Sequence, residues 1–335
     1  MAHPFQQKFE SVLEKDKSKY VKPFVISWDY QVKRKKRGVK YSNDLPEDFY
    51  TFNGAQDITK WMNWFAGEYP SFYKDELINP LIEKSKQNDI AILKNLGIEY
   101  DFNQYGKVGL NNAHDFFIPQ SYPVPKEFEI KTVLDFGAGY GRQANLWWPY
   151  VNGKGNFIGV DAIPMSYGLQ HHYYKAVKPD FIDYVDNPDT FKIDAKGSNL
   201  YHVPTWRLDL IPDNSVDLIV CIQVLPELGK QLILHIFEQF QRILKPGGAF
   251  YIRDLNYMYK TIGTIDIDKS LIAAKFTLEY RAFIEHNKHL HCVPKIWRKN
   301  MDSITNLQKN SFAQKKKYLL EDIDAITKGI LKRKK

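Results

Sequence analysis

Three glycines follow a short apolar run in the stretch VLDFGAGYGR, and an aspartate stands just before them. Glycine allows backbone N–H groups to approach a ligand closely, so Gly137, Gly139 and Gly141 predict a ligand-binding loop. The spacing G-x-G-x-G differs from the G-x-G-x-x-G of dinucleotide-binding proteins, and the lysine and hydroxyl residue of a P-loop are missing. Asp135 would repel a polyphosphate, so the loop suits a ligand with an ammonium or sulfonium group and a carboxylate.

A second acidic residue, Asp161, ends the apolar stretch NFIGVD. An acid at the end of the second strand of a nucleotide-binding sheet can accept hydrogen bonds from both ribose hydroxyls. The two acids together therefore favour a ligand that has a ribose, a cationic centre and a short anionic end. S-adenosylmethionine meets all three requirements.

Strand and helix patterns alternate from about residue 129 onward. The predicted strands are 129–136, 156–162, 216–225 and 249–254, and the predicted helices are 139–148, 164–175 and 232–244. Continuous apolar strands that alternate with amphipathic helices are typical of a parallel sheet covered on both faces. The segments FTLEYRAFIEH and VPKIWRK flank a turn-like NKHLHC and predict an antiparallel hairpin that closes the sheet.

Four motifs, in this order, resemble class I S-adenosylmethionine-dependent methyltransferases: VLDFGAGYGR, FIGVD, DNSVDLIVCIQVL and RILKPGGAFYIRD. They lie between Lys131 and Lys299, in the half of the chain that carries the alternating pattern. The resemblance implies an α/β fold with a doubly wound, seven-stranded, mostly parallel sheet of the Rossmann-like methyltransferase type. It also implies an enzyme that transfers methyl groups and uses S-adenosylmethionine as its cofactor.

A finer resemblance is to bacterial sugar O-methyltransferases. It rests on the sequence GAGYGR in the loop, on Asp161 and Pro164 around the end of the second strand, and on Glu227 shortly after the fourth. The chain departs from that group in the two residues, Ala and Ile, that separate the aspartate from the proline. The resemblance implies a hydroxyl acceptor on a nucleotide sugar or a surface polysaccharide.

The resemblance also implies roles in cofactor binding. Asp135 is expected to face the amino group, and Asp161 to accept from the ribose hydroxyls. Arg142 either meets the carboxylate or is a surface residue on the first turn of a helix. Trp206 either stacks on the adenine or packs in the core, with Asp209 as a competing adenine partner. The predicted cofactor-binding residues are Asp135, Gly137, Gly139, Gly141, Arg142, Asp161, Ala162, Trp206 and Gln223.

Methyl transfer is an in-line displacement, to which an enzyme mainly contributes alignment. A sugar hydroxyl must lose its proton as it attacks, so a general base is needed within hydrogen-bonding distance. Glu227, after the fourth strand, is the preferred base, and Asp254 and His114 are the other candidates. A histidine has the most suitable ordinary pKa, but His114 also suits plain packing. No His, Cys and Asp cluster has metal-ligand spacing, so no metal is predicted.

Other functions remain open from the sequence. An enzyme that methylates amino groups of nucleic acids would show an (Asp/Asn/Ser)-Pro-Pro-aromatic motif where this chain has QVLPEL. Cys221 lies inside a strand, where it cannot serve as the nucleophile of a cytosine-C5 methyltransferase. RNA stays an alternative acceptor because basic segments permit RNA binding, and other small molecules, lipids included, stay alternatives too. A non-catalytic cofactor-binding scaffold would be expected to lack the glycine loop or the strand-two acid, and both are present.

The composition favours a soluble, cytoplasmic protein. The 335 residues are 44% hydrophobic and carry a net charge of +8, with a pI near 9.0. The N-terminal MAHPFQQKFESVLEK lacks the apolar core of a secretory signal, and no apolar run reaches the roughly 18 residues of a membrane span. Cys221 and Cys292 lie in apolar stretches, so buried free thiols in a reducing compartment are expected rather than a disulfide.

Three regions are predicted along the chain. Residues 1–125 form a mostly helical substrate or cap region, residues 126–300 the cofactor-binding domain, and residues 301–335 a basic helical tail. In the first region, an apolar stripe around Trp61 predicts one helix, and a second is expected from residue 71 to Gly97, with a kink or division at Pro80. The proline-rich residues 118–125 predict a linker.

The tail contains nine Lys or Arg and four Asp or Glu. Its apolar stripe is compatible with a helix docked on its own domain. The alternative is an association element that contacts an anionic membrane surface, a nucleic acid or a partner protein.

Overall fold

Eight strands of the described residues form one sheet at the centre of the molecule. A computed structural model of the chain describes residues 3–19, 52–65, 75–121, 129–225, 228–255, 266–281 and 292–299. The strands are β1 (Val133–Phe136), β2 (Phe157–Asp161), β3 (Ile182–Asp183), β4 (Leu200–Pro204), β5 (Val216–Ile222), β6 (Leu244–Leu255), β7 (Phe276–Arg281) and β8 (Cys292–Lys299). The helices are α1 (Pro4–Lys17), α2 (Asp57–Phe65), α3 (Asp75–Leu96), α4 (Gly106–Ser121), α5 (Ala144–Val151), α6 (Pro164–Val177), α7 (Lys230–Ile243) and α8 (Ile267–Ala273).

The strand order is β3-β4-β2-β1-β5-β6-β8-β7. All pairs from β3 to β6 are parallel, and β8 runs antiparallel to both β6 and β7. The predicted doubly wound, mostly parallel sheet and its closing hairpin are thus confirmed. The sheet has one strand more than the seven expected, because Ile182 and Asp183 form a two-residue strand at one edge. Two residues are too few to show a hydrophobic period.

Alternating side chains of the strands fill two apolar layers, one on each face of the sheet. On the first face, Leu134 and Phe136 pack with apolar residues of α1, α7 and α8. On the second face, Val133 packs with apolar residues of α2, α3, α4, α5 and α6. Helices therefore cover both faces, as the continuous apolar strands predict. The N-terminal helices α2, α3 and α4 pack on the second face of the sheet and share one apolar layer with its strands.

The two helices predicted in the N-terminal region are α2 and α3. Gly97 ends α3 as expected, since it has a φ of +68° and the following N–H, of Ile98, donates to the Leu93 carbonyl at 2.9 Å. A left-handed glycine with this hydrogen bond is a common helix terminus.

Two prolines lie inside helices at places where the sequence predicted a break. The helix α3 continues through Pro80, so of the predicted kink or division the division does not occur. Pro80 lies in the second turn and removes one backbone hydrogen bond, while Leu81 beside it packs against the second apolar layer. The helix α4 continues through Pro119 to Ser121. The predicted linker is therefore helical over residues 118–121, and the rest of it lies outside the described residues.

Buried polar contacts join the N-terminal helices to the core. The Asp89 carboxylate of α3 accepts hydrogen bonds from the hydroxyls of Tyr105 and Tyr173, each at 2.5 Å. Burial raises the pKa of Asp89, although these hydrogen bonds act against the rise. Asn145 of α5 donates to the backbone carbonyl of Ser85 at 3.0 Å. These contacts hold α3 against α5 and α6.

Several sequence predictions lie outside the described residues. They include the tail at 301–335 with its proposed partners, and the side chain of Cys292. Cys221 is a buried free thiol, as predicted. Among the helices that the structure describes, none is long and apolar enough to cross a membrane.

Candidate functional site

The glycine loop joins β1 to α5 at the carboxyl edge of the sheet. Gly137, Gly139 and Gly141 have φ values of +71°, +61° and +95°. These left-handed conformations cannot continue a right-handed helix, which is why α5 begins at Ala144 and not at Gly139 as the sequence predicted. The N–H of Gly137 donates to the Val160 carbonyl of β2 at 2.8 Å. The loop is thus fixed between the ends of β1 and β2.

Replacing Gly137 by alanine is expected to lower the free energy of unfolding substantially. A Cβ atom at this position would lie 2.3 Å from Cγ2 of Val224. The left-handed backbone costs about 1–2 kcal/mol, and the overpacking adds about 1–3 kcal/mol. Gly153 is the matched control, because it has a φ of +81° and nothing within 4 Å of an added Cβ. Urea unfolding of Gly137→Ala and Gly153→Ala separates the backbone cost from the overpacking. Equal losses of unfolding free energy would show that the Val224 side chain moves aside without cost.

Asp135 stands in β1 just before the loop, and only 2% of it is exposed. Among the described residues its Oδ2 atom has no hydrogen-bond partner. Burial raises the pKa of this carboxyl group to about 8; Arg142 acts against the rise, and the charges of Asp161 and Asp115 add to it. A buried carboxylate oxygen without a donor fits a ligand that brings a cationic N–H group. The ammonium of S-adenosylmethionine is such a group.

Asp161 ends β2 beside the loop and is 5% exposed. Its Oδ1 accepts from the backbone N–H groups of Ala162 at 2.8 Å and Ile163 at 3.1 Å. Its Oδ2 accepts from Gln170 Nε2 at 2.8 Å and from the Gly139 N–H at 3.3 Å. Burial raises the pKa of Asp161 to about 6, with these four hydrogen bonds acting against the rise. The carboxylate therefore already joins the strand end to the glycine loop.

Arg142 is buried rather than a surface residue, with 8% exposed. Its Nη2 lies 2.6 Å from Asp115 Oδ2, and its Nη1 donates to Asn112 Oδ1 at 3.0 Å. Arg253 of β6 pairs with the same carboxylate, Nε to Oδ1 at 2.7 Å and Nη2 to Oδ2 at 2.8 Å, and Tyr251 donates to Oδ1 at 2.9 Å. Burial opposes ionisation of Asp115, but the two guanidinium groups outweigh it and lower its pKa to about 2.

The residues proposed for the adenine lie in the turn after β4. Trp206 is 5% exposed, and its Nε1 donates to Asp16 Oδ2 of α1 at 2.9 Å. Its ring packs edge-on against Phe9, 5.2 Å between centroids. Asp209 pairs with Arg207 at 3.0 Å. The N-terminal helix thus fixes the Trp206 ring, and α1 forms part of the surroundings of this turn.

Gln223 follows β5 with a φ of +57°. Left-handed backbone at a residue other than glycine costs about 1–2 kcal/mol and often marks a functional position. The N–H of Gln223 donates to the Arg253 carbonyl at 3.0 Å, which ties the ends of β5 and β6 together.

The three candidate bases have different surroundings. Asp254 ends the carboxyl side of β6 and is 2% exposed. In the parallel pairing of β5 with β6, Ile222 lies beside Arg253, so Asp254 lies near the carboxyl end of β5. Burial raises the pKa of the Cys221 thiol, and the charges of Asp254 and Asp135 raise it further. His114 of α4 is fully buried; burial lowers its pKa to about 4, with Asp115 opposing and Arg253 adding to the effect. Glu227 lies outside the described residues.

Several residues that matter for this geometry were not predicted: Asp115, Arg253, Gln170 and His202. Each gains its position from a contact with a residue distant in the chain, so no local spacing signals it.

His171, Asp183 and Asp186 offer ligand atoms within 4.8 Å of one another. His171 already pairs with Asp183 at 2.8 Å, however, and Asp186 with Lys8 at 2.6 Å.

The parallel sheet, the glycine loop and the acids at the ends of β1 and β2 define an S-adenosylmethionine-dependent methyltransferase. A family model described as a methyltransferase domain matches residues 112–295, more than half of the chain, and the chain belongs to that family. S-adenosylmethionine is its cofactor. The match begins within α4, so Asp115 lies inside it.

The chain is also similar to solved structures of methyltransferases. One is a SAM-dependent methyltransferase from Aquifex aeolicus, with 20% identity over 60% of this chain and 100% of that one, at a TM-score of 0.36. Another is the N-methyltransferase NodS from Bradyrhizobium japonicum in complex with S-adenosyl-L-homocysteine, with 14% identity over 51% of this chain and 79% of that one, at a TM-score of 0.37. A third is an arsenic(III) S-adenosylmethionine methyltransferase from Chlamydomonas reinhardtii, with 19% identity over 53% of this chain and 66% of that one, at a TM-score of 0.36.

Proposed function

We propose that the protein transfers a methyl group from S-adenosylmethionine to a hydroxyl group of a sugar, in a nucleotide sugar or a surface polysaccharide, in the cytoplasm. The observation that carries the proposal is the carboxyl group of Asp254, buried at the end of β6 near the end of β5. An acceptor hydroxyl needs such a group to take its proton. The resemblance of the GAGYGR loop and of Glu227 to sugar O-methyltransferases supports the same acceptor.

The cofactor would lie along the carboxyl ends of β1, β2 and β4. Asp135 would accept from its ammonium group, and the backbone of Gly137, Gly139 and Gly141 would lie against its methionine part. Asp161 and Ala162 would face the ribose. Trp206 would lie against the adenine, and Gln223 would line the pocket between β5 and β6. S-adenosylmethionine supplies an activated methyl group on a sulfonium centre.

Arg142 is proposed to form an ion pair with the carboxylate of the methionine part of the cofactor. Its guanidinium group is held by Asp115 and Asn112, so a carboxylate would meet a group that is already oriented. Two guanidinium groups share the one carboxylate of Asp115. This arrangement favours an anion beside them.

The remaining task is removal of the hydroxyl proton. We assign it first to Glu227, in the segment that follows β5, and second to Asp254. Asp254, buried near the end of β6, is placed on a strand, and such a fixed position favours alignment of the hydroxyl with the methyl group. His114 is neutral near pH 7 because its pKa is lowered to about 4. It is therefore a weaker base than an ordinary histidine.

Transfer of labelled methyl groups tests the proposal. The protein is incubated with S-adenosylmethionine labelled in the methyl group and with three separate bacterial extracts: total nucleic acid, glycans and nucleotide sugars. Label is expected in the glycan or nucleotide-sugar pool and to resist nuclease. An Asp135→Asn variant, which should bind the cofactor poorly, is the control for transfer by other proteins in the extract.

Two outcomes would contradict the assignment. Label confined to nuclease-sensitive material would make RNA the acceptor. Calorimetric binding of S-adenosylhomocysteine without transfer to any of the three pools, or to a separate extract of other small molecules, would favour the non-catalytic scaffold.

A further inference from the structure

A chain of buried polar side chains begins at the glycine loop and crosses α6 to the edge of the sheet. Gln170 of α6 is fully buried. Its Nε2 donates to the Gly139 carbonyl and to Asp161 Oδ2, both at 2.8 Å. One amide group therefore holds both the loop that faces the methionine part and the acid assigned to the ribose.

His202 of β4 holds the other end of this amide. Its Nε2 lies 2.9 Å from Gln170 Oε1, and its Nδ1 lies 3.0 Å from Asp183 Oδ2. The imidazole ring stacks on Tyr167 with 3.6 Å between ring centroids and 16° between planes. The ring is fully buried, so its orientation is fixed on both edges and on one face.

Asp183 completes the chain at the edge strand β3. Its Oδ1 accepts from the Tyr167 hydroxyl and from the Val185 N–H, both at 2.8 Å. Its Oδ2 lies 2.8 Å from His171 Nδ1 in addition to His202. Every polar atom of Gln170, His202 and Asp183 thus has a partner. A fully satisfied buried network of this kind is rigid.

The donors and acceptors of the chain also fix its protons. The Gly139 carbonyl and the Asp161 carboxylate only accept, so the amide nitrogen of Gln170 must face them and its oxygen must face His202. His202 Nε2 therefore carries a hydrogen, and a further proton lies between His202 Nδ1 and Asp183. Burial opposes ionisation of Asp183, but His202 and His171 outweigh it and hold its pKa below the usual value. The position of this shared proton follows from the donor and acceptor arrangement; burial lowers the pKa of His202, and Asp183 acts against the fall.

We propose that Gln170, oriented by His202 and Asp183, is the positioning residue that sets the Asp161 carboxylate and the Gly139 peptide for the ribose of the cofactor. The proposal rests on the assignment of Asp161 to the ribose hydroxyls. Without Gln170, the Oδ2 atom of Asp161 would keep only the 3.3 Å contact with the Gly139 N–H. The Oδ1 atom would keep its two backbone donors, but the Oδ2 atom would lose its shorter hydrogen bond and be less closely fixed.

The test compares the affinities of S-adenosylhomocysteine and its 2′-deoxy analogue, measured by calorimetry on the same preparation. Their ratio reports recognition of the ribose hydroxyl and does not depend on the folded fraction, so a merely structural defect leaves it unchanged. Wild-type protein is expected to prefer the ribose form by about 10- to 100-fold, the range for hydrogen bonds to a charged group.

The variants Gln170→Met and His202→Phe keep most of the side-chain volume, and phenylalanine keeps the stacking on Tyr167. In both, the preference should fall by about 3- to 10-fold, the loss that goes with one misplaced hydrogen bond. His172→Phe is the matched control. His172 lies on the same helix and stacks on Phe52, and among the described residues its Nε2 has no partner. That variant should keep the wild-type preference.

Two results would overturn the proposal. If Gln170→Met and His202→Phe bind both ligands more weakly but with the wild-type ratio, these residues only support the fold. If Asp161→Asn keeps the wild-type ratio, the ribose assignment fails, and the positioning role fails with it. No acceptor is present in these measurements, so the identity of the methyl acceptor does not affect the outcome.

Discussion

Replacing Asp135 by asparagine is expected to weaken the binding of S-adenosylhomocysteine by about 10- to 100-fold, because a hydrogen bond between charged groups contributes about 1.5–3 kcal/mol. The Oδ2 atom of Asp135 is buried and has no partner among the described residues, so the ligand ammonium would be its donor. The asparagine amide has the same shape but no charge. Calorimetry with S-adenosylhomocysteine measures the effect without an acceptor.

The same substitution should change the pH dependence of stability. In the folded protein the pKa of Asp135 is raised to about 8, whereas in the unfolded chain it is near the ordinary value of about 3.9. Between these values the folded state binds more protons, so the free energy of unfolding falls as the pH rises. The side chain of an asparagine does not titrate in this range. The Asp135→Asn variant should therefore gain stability relative to the wild type as the pH rises from about 4 to about 8.

Urea unfolding at several pH values between about 5 and about 9 checks this expectation, since that range spans most of the titration. Asp209→Asn is the control, because its carboxylate is mostly exposed, at 57% of the side chain, and pairs with Arg207. Its effect on stability should be small at every pH. If Asp135→Asn binds S-adenosylhomocysteine as the wild type does, Asp135 does not receive the ammonium group, whatever happens to the stability.

Glu227→Gln is expected to lower turnover by about 10²-fold or more and to leave the affinity for S-adenosylhomocysteine nearly unchanged. The reason is that general bases contribute about 10²- to 10⁴-fold to such reactions, whereas Glu227 is not among the residues proposed to hold the cofactor. Turnover is measured with the pool that accepts label in the transfer assay. Asp254→Asn and His114→Ala are measured in parallel, with cofactor affinity determined for each variant.

The comparison among these three variants decides which residue is the base. If Glu227→Gln turns over at the wild-type rate and Asp254→Asn does not, the base is the buried carboxylate at the end of β6. If only His114→Ala is inactive, the base comes from α4. Since the pKa of His114 is lowered to about 4, it would then accept a proton only if the acceptor hydroxyl were closely aligned with its imidazole ring.

Elements with strong periodic patterns were predictable from the sequence. The strands β1, β2 and β5, and β6 from Ala249 onward, lie where apolar runs predict them. The amphipathic helix α7 lies where its stripe of apolar residues predicts it. The elements that were missed are those with weak patterns. The edge strand β3 has two residues, and Pro80 lies in a helix whose packing outweighs the loss of one hydrogen bond. The start of α5 depends on the left-handed glycines that precede it.

In the candidate site, too, some residues were predictable from local patterns and others were not. Asp135 and Asp161 were predicted from their places at strand ends, because the carboxyl edge of a parallel sheet is where its ligands bind. The partners that orient the site come from far along the chain. Asp115 reaches Arg142 and Arg253, and Asp16 of α1 reaches Trp206. Such pairs depend on tertiary packing, which no local spacing encodes.

The sharing of Asp115 between Arg142 and Arg253 has an evolutionary consequence. The acid comes from α4, in the N-terminal region, and the two guanidinium groups come from the glycine loop and from β6. Removing one partner of a buried ion pair costs about 3–5 kcal/mol, comparable with much of the stability of a typical domain. Recombination that exchanged this region for another segment would have to bring an acid to the same position. The N-terminal region is therefore expected to be inherited together with the core and to diverge by point substitutions.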